Sequence, residues 1–368
     1  MIKAINFVGV PGPRSGPGAG TGVVLFTPEG QEDRIGTFQS ISGDLQRSRR
    51  EPFRARLKMT FRAAVAGLLI CAASVQAQQP THPTITVTLL GTGSPPPVMD
   101  RFGPSVLVEA GPEKLLFDAG RGALQRLRQR GVSPAQVRTL LLTHLHSDHI
   151  VGIPDFWLTG WVNGRPTTAL RAFGPDGTRA MFEHLTQAFA FDIAIRISDD
   201  RASPEGGRVD ATDVGEGVVF ERNGVKVTSF FVDHDPIKPA LGYRVDYAGR
   251  SVVISGDTKY SENLVRHAEG VDLLIHEVVV PSSLRRAGYA ADRSERIIVH
   301  HTTPERAGEL FARVKPRFAV FYHLVLPTAT REEILGAVRT TYAGPVEVGE
   351  DLMVIDIGER VEVRRPAP

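Results

Sequence analysis

The chain has 368 residues, with 43 Lys and Arg against 41 Asp and Glu and a single cysteine. Its basic excess belongs to the first 80 residues. Residues 81–368 hold 33 basic and 36 acidic side chains, which excludes a polyanion-binding mode driven by overall charge; Cys71 standing alone excludes an intramolecular disulfide.

In chain order, residues 1–58 are rich in Gly and Pro (VGVPGPRSGPGAGTG) and show no sustained period of 2 or 3.6. They read as a disordered extension, or as sequence upstream of a true start at Met59. Next, Arg54, Arg56, Lys58 and Arg62 flank the 13-residue apolar run AAVAGLLICAASV, which ends in Val75-Gln76-Ala77. A basic flank, a short apolar core and small residues at alternate positions make 59–77 a secretory signal peptide. The run is shorter than the roughly 20 residues a membrane-spanning helix needs. The expectation is a periplasmic or secreted protein that begins near Gln78, has no membrane span and, with Cys71 removed, has no thiolate ligand or nucleophile.

Residues 80–368 form one large domain. Strand patterns fall at 85–90, 105–110, 114–120, 138–144, 225–234, 241–255, 271–278 and 317–323, and helical patterns at 123–130, 177–190, 261–268 and 303–314. Asn223-Gly224 and Ala248-Gly249 mark hairpin turns, and Thr303-Pro304-Glu305 opens a helix. Hairpins followed by alternating strands and helices, similarly arranged in each half, predict an α/β fold of two packed sheets with helices outside. Phe156, Trp157 and Trp161 read as core contacts of the helix that carries them, rather than as an apolar wall for a leaving group.

The strongest motif, His144-Leu145-His146-Ser147-Asp148-His149, directly follows the apolar strand TLLLT. Four ligand-type side chains within six residues at the end of a buried strand repay their desolvation by coordinating a cation.

HLHSDH matches the HxHxDH signature, and from about Ile85 to Met353 the chain resembles the metallo-β-lactamase fold, a four-layer αββα sandwich with a metal centre at one edge. The resemblance implies that Asp118 in LLFDAG orients the metal loop from outside the ligand set. It also implies that His234, Asp257 in SGDT and His323 complete the ligands. Metal one would then be held by His144, His146, His234 and Asp257, and metal two by Asp148, His149, His323 and the shared Asp257. With nitrogen and oxygen donors only, two zinc ions lead, and manganese or iron would suit the same donors. Such a centre lowers the pKa of bound water from 15.7 to about 7 and offers a bridging hydroxide, which Asp148 would orient.

TLLGTGSPPP, SGDT, His276-Glu277 and His301-Thr302-Thr303 are similar to the branch that contains ribonuclease Z and the alkyl/aryl sulfatases. The resemblance makes His301, beside His300, the acid or oxyanion donor, with Glu277 orienting it. Ribonuclease Z grips tRNA with an extended basic arm, whereas the comparable segment here, 191–217, has 3 arginines against 7 acidic residues. A net negative arm would repel phosphates. The sequence therefore reads as an exported dinuclear hydrolase of a small sulfate or phosphate ester, with nucleic acid disfavoured as a partner. The alternatives are a ribonuclease Z-type tRNA 3′-processing enzyme, a lactonase or thioesterase of the same fold, or a metal-dependent binder without turnover. A homodimer is compatible with the resemblance, although no sequence feature identifies an interface.

Overall fold

The computed structural model describes residues 84–366 apart from Arg165, Leu326 and Pro327. The extension 1–58 and the signal-like segment 59–77, with Met59 and Cys71, lie outside the described residues. Strands β1 (Ile85–Gly91), β2 (Ser105–Ala110), β3 (Glu113–Phe117), β4 (Thr139–Leu141), β5 (Leu170–Gly174) and β6 (Val209–Asp213) build most of one sheet. Strands β7 (Gly217–Arg222), β8 (Val225–Phe231), β9 (Leu241–Tyr247), β10 (Arg250–Ile254), β11 (Leu273–Val279), β12 (Phe318–Val325) and β13 (Val346–Val348) build the second. β14 (Val354–Ile357) and β15 (Val361–Arg364) return to the first, giving the order β15-β14-β1-β2-β3-β4-β5-β6, against β13-β12-β11-β10-β9-β8-β7.

Apolar side chains decide this layering. Val87, Val108, Val227, Tyr243 and Ile275 meet in the layer between the sheets. Phe311, Leu310 and Val338 cover the outer face of the second sheet, and Leu127, Phe156 and Phe182 that of the first. The result is the four-layer αββα sandwich. β11 is buried at all seven positions because both faces of its sheet are covered, which is why it reads as a continuous apolar run rather than an alternation. Two hairpins close at Asn223-Gly224 and Ala248-Gly249, where both residues of each pair have positive φ, as a type I′ turn requires.

Within each sheet an antiparallel hairpin region leads into a parallel one: β3 to β6 in the first sheet, β10 to β13 in the second. Parallel strands end on the same side, so the segments after β3, β4, β10 and β12 are gathered at one edge of the sandwich, where open α/β sheets commonly bind ligands.

Segment 191–217 differs from the expected acidic arm. It continues through a helix (Ala190–Ser198), a short turn of helix (Pro204–Gly207) and β6, which pairs in parallel with β5. Val209 and Ala211 alternate inward onto the core, a period of 2 that makes this segment a strand. Five of its seven carboxylates have an arginine partner, although three arginines offset only three of those charges. Asp192 and Asp200 pair with Arg196, Glu205 and Asp210 with Arg208, and Asp213 with Arg179. Trp157 Nε1 donates to Gly207 O (2.8 Å) and Trp161 Nε1 to Ser203 O (2.8 Å), so both indoles are committed to holding this segment and neither lines the cavity described below. Among the described residues no helix is long and apolar enough to cross a membrane.

Candidate metal centre

His144, His146, Asp148 and His149 follow β4, with Asp148 and His149 on the single helical turn Ser147–Ile150. His234 follows β8, Asp257 follows β10, and His323 lies in β12. These seven side chains, scattered over 180 positions of sequence, converge at the strand edge. Donor atoms of His144, His146, His234 and Asp257 lie within 4.8 Å of one another, as do those of Asp148, His149 and His323. One oxygen joins the two groups. Asp257 Oδ2 is 3.8 Å from His144 Nε2, 3.9 Å from His234 Nε2, 3.5 Å from His149 Nε2 and 3.2 Å from His323 Nε2. Asp148 Oδ2 lies 3.2 Å from His323 Nε2 and 3.7 Å from His149 Nε2.

Outer hydrogen bonds aim the imidazoles. Asp118 accepts from Thr143 N, Thr143 Oγ1 and His149 Nδ1, each at 2.8 Å. With its proton given to Asp118, the Thr143 hydroxyl accepts from His144 Nδ1 at 3.0 Å. His234 Nδ1 donates to His300 O at 3.0 Å. In each case one ring nitrogen is held by protein and the Nε2 lone pair turns toward the shared space, the arrangement by which metal-ligating histidines are oriented. His144 Nε2, His149 Nε2 and Asp257 Oδ1 are buried without a protein partner. Buried polar atoms left unpaired cost about 1–3 kcal/mol each, and a cation placed among them removes that cost. Nitrogen and carboxylate donors without thiolate suit zinc and also fit manganese or iron.

Backbone geometry at the centre is unusual where it matters. Asp118 and His323 adopt left-handed conformations (φ 55 and 43), uncommon for residues with a Cβ and typical of functional positions held by their surroundings. At His323 the β11–β12 register shifts between His276 and Val278. Phe321 and Leu324 therefore both face the outer helices, and His323 becomes the extra residue of a bulge that redirects a side chain. Gly256, at φ 62, precedes Asp257, and a Cβ there would lie 2.7 Å from Leu241 O, so the turn that presents Asp257 requires glycine.

Charge in the metal-free protein is unevenly spread. Burial pushes His144 well below the ordinary imidazole value and His234 down to about 4. Burial opposes charge on His149 too, but Asp257 and Asp118 outweigh it and raise His149 well above its usual range. Burial likewise works against the Asp257 carboxylate, yet His323, His149 and His144 hold it well below the ordinary range.

The expected acid and its partner also meet. His301 Nδ1 is 3.2 Å from Glu277 Oε2, while Glu277 Oε1 accepts from Thr302 N at 2.7 Å. Burial opposes a charge on His301, but the Glu277 carboxylate prevails and raises it to about 9. His301 lines the cavity beside the centre and comes within donor range of Asp257 and His323. His300 instead offers its carbonyl to His234, which separates the two neighbouring histidines by what they touch.

A cavity of about 990 Å³ opens from His146, Asp148, Asp257, His301 and His323. One wall is the loop 93–101, which sequence reasoning left without a role. Asp351 clasps both of its ends, accepting from Thr92 N (2.9 Å) and Thr92 Oγ1 (2.8 Å) through Oδ1, and from Phe102 N (2.7 Å) and Arg126 Nε (3.0 Å) through Oδ2. Nothing in the sequence signals a contact across about 260 residues. Thr143 heads the histidine motif, and its contacts to Asp118 and His144 give it a role that the sequence alone does not assign.

The description "Beta-lactamase superfamily domain" fits residues 106–324. The ribonuclease Z of Mycolicibacterium gilvum (strain PYR-GCK) is 37% identical over 279 residues, covering 74% of this chain and 96% of that protein. Among solved structures, the metallo-beta-lactamase fold protein YhfI from Bacillus subtilis aligns with a TM-score of 0.59 at 19% identity, covering 73% of this chain and 98% of that one. The short form of human tRNase Z aligns with a TM-score of 0.57 at 21% identity, over 74% and 99% respectively. At these identities the two structures speak to the fold alone.

Proposed function

The chain belongs to the metallo-β-lactamase superfamily, in its ribonuclease Z-like branch, and we propose that it is a dinuclear metal-dependent phosphodiesterase whose substrate is RNA. The observation that carries the hydrolytic part is the Asp257 oxygen common to two donor groups. His144, His146, His234 and Asp257 would hold one cation, and Asp148, His149, His323 and Asp257 the other. Cations bound there supply Lewis-acid polarisation of a phosphoryl oxygen and acidify a water toward neutral pH.

The remaining steps belong to the chain. Asp148, at the cavity wall, orients the attacking water. As the new P–O bond forms and the old one breaks, His301 passes its proton to the departing oxygen, and Glu277 keeps Nδ1 engaged so that Nε2 faces the reacting group. Support for RNA comes from a relative at 37% identity, named ribonuclease Z, that is matched over 96% of its length. β6 ties the second half of 191–217 to the sheet, so the segment is not extended throughout, while its 3 arginines against 7 acidic residues and the expected export signal still count against RNA.

A second reading, a small aryl ester of phosphate or sulfate, is favoured by the apolar side of the cavity, where Val98, Leu284, Ile297 and Val325 contribute. One panel separates the two. Zinc- or manganese-loaded full chain is given a precursor tRNA with a 3′ trailer, bis-p-nitrophenyl phosphate, p-nitrophenyl phosphate and p-nitrophenyl sulfate. Cleavage of the precursor and of the diester, with a steep salt dependence for the RNA, is the expected result. Turnover of the sulfate or phosphate monoester with the RNA left intact overturns the proposal.

A further inference from the structure

Three guanidinium groups line the cavity beside the metal centre, and two are already engaged. Arg101 Nη1 donates to Thr92 Oγ1 and Gly349 O, both at 2.7 Å. Arg331 forms a two-pronged pair with Glu347 at 2.9 and 2.7 Å. Arg293 has no carboxylate in ion-pair range among the described residues, and its guanidinium instead lies over the Tyr289 ring, 4.5 Å from the centroid. Arg293 stands on the helix Ala291–Ile298, which runs directly toward His301. Arg293, Ile297 and His301 recur every four residues and all three line the cavity, so one side of this segment carries both the free cation and the acid. Arg296 on the same helix pairs with Asp292 at 2.9 Å and is outside the cavity.

An unpaired guanidinium stacked on an aromatic face keeps its donors free in a fixed plane, a form suited to bidentate binding of an anion. The scissile phosphate belongs at the metal centre, so an anion at Arg293 is a different group of the same substrate. Resting on the phosphodiesterase reading above, we infer that Arg293 binds a second phosphate of the substrate, flanking the one that is cleaved. The preferred substrate class is thereby a phosphodiester that bears a neighbouring phosphate, as any polynucleotide does, rather than an isolated diester. Tyr289 holds the guanidinium in place for it.

The test uses two chromogenic esters that differ by one phosphate: thymidine 5′-(p-nitrophenyl phosphate) and its 3′-phosphorylated form, each with the metal-loaded full chain. Wild type is expected to favour the 3′-phosphorylated ester in kcat/KM. Arg293→Ala lowers that preference by about tenfold, the scale of one charge-assisted contact, chiefly through KM. Arg293→Lys keeps part of the preference, and Arg296→Ala keeps all of it. Equal kcat/KM for the two esters in wild type, or an Arg293→Ala variant indistinguishable from Arg296→Ala, refutes the assignment while leaving phosphodiester hydrolysis intact. Failure to hydrolyse the two esters, bis-p-nitrophenyl phosphate and the precursor tRNA alike refutes the parent reading and this inference together.

Discussion

Replacing Glu277 with glutamine keeps the size of a fully buried side chain and an acceptor for Thr302 N, yet removes the charge that sustains a protonated His301. His301 is raised from 6.5 to about 9 because Glu277 outweighs the cost of burial. Without the carboxylate, burial is opposed only by the Asp257 carboxylate, and the imidazole moves down toward its ordinary 6.5. At pH 8 a group titrating near 9 is about nine-tenths protonated, and one at 6.5 about 3%, so kcat/KM falls on the order of 30-fold. At pH 5.5 the two proteins differ by less than about twofold on the same basis. Cations bound beside His323 repel a charged His301 and lower both values, so the separation between the descending limbs of the two pH–rate profiles is the quantity to read. Glu277→Gln is expected to move its limb to lower pH with metal content unchanged. A limb that stays in place, or a loss of equal size at every pH, would refute proton donation by His301 and leave Glu277 as a support for Thr302. The raised value has a counterpart in stability. In metal-free protein the contribution is fully present below pH 6.5 and fades as pH rises through about 9, on the order of 3 kcal/mol, measurable as a falling urea midpoint that Glu277→Gln lacks.

Asp257→Ala removes the oxygen that both donor groups share; metal content by plasma emission is expected to fall from two per chain to below one with activity lost, and retention of both metals would sink the bridging role. Asp351→Ala strands Arg126 and frees Thr92 and Phe102. It should lower stability by about 3–5 kcal/mol, as breaking a buried pair does, and raise KM more than it lowers kcat; a stable variant with wild-type KM would show that the 93–101 loop is held by other means. Metal uptake displaces the proton that Asp257 and Asp118 favour on His149, so calorimetric binding heats should vary with buffer ionisation enthalpy. Export through 59–77 remains a proposal of the sequence; protein recovered from the periplasm or medium is expected to begin near Gln78, and full-length protein confined to the cytoplasm would overturn it.

Much of the centre could be read from the linear chain because its chemistry is local. HLHSDH concentrates four donors in six residues, and no ordinary loop bears the desolvation of such a cluster. The strands were equally legible where both faces are covered, as in VDLLIHEV, since burial on two sides leaves an unbroken apolar run. Strands β5–β7 and β13–β15 are not legible in the sequence: all but β7 hold three to five residues, too few for periodicity to separate from a loop, and β7 is mostly exposed, while in 191–217 only the alternation of Val209 and Ala211 marks β6. Folding alone decides the rest. Resemblance names Asp257 as the bridge and His301 over His300, but the physical reasons appear only when β4, β8, β10 and β12 end at one edge and His301, not His300, meets Glu277. Arg293 is one of many arginines in sequence, and becomes singular when Arg101 and Arg331, from distant segments, prove to be paired. Those distinctions depend on which groups lie within about 4 Å of each other across more than a hundred residues, a property of the packed layers.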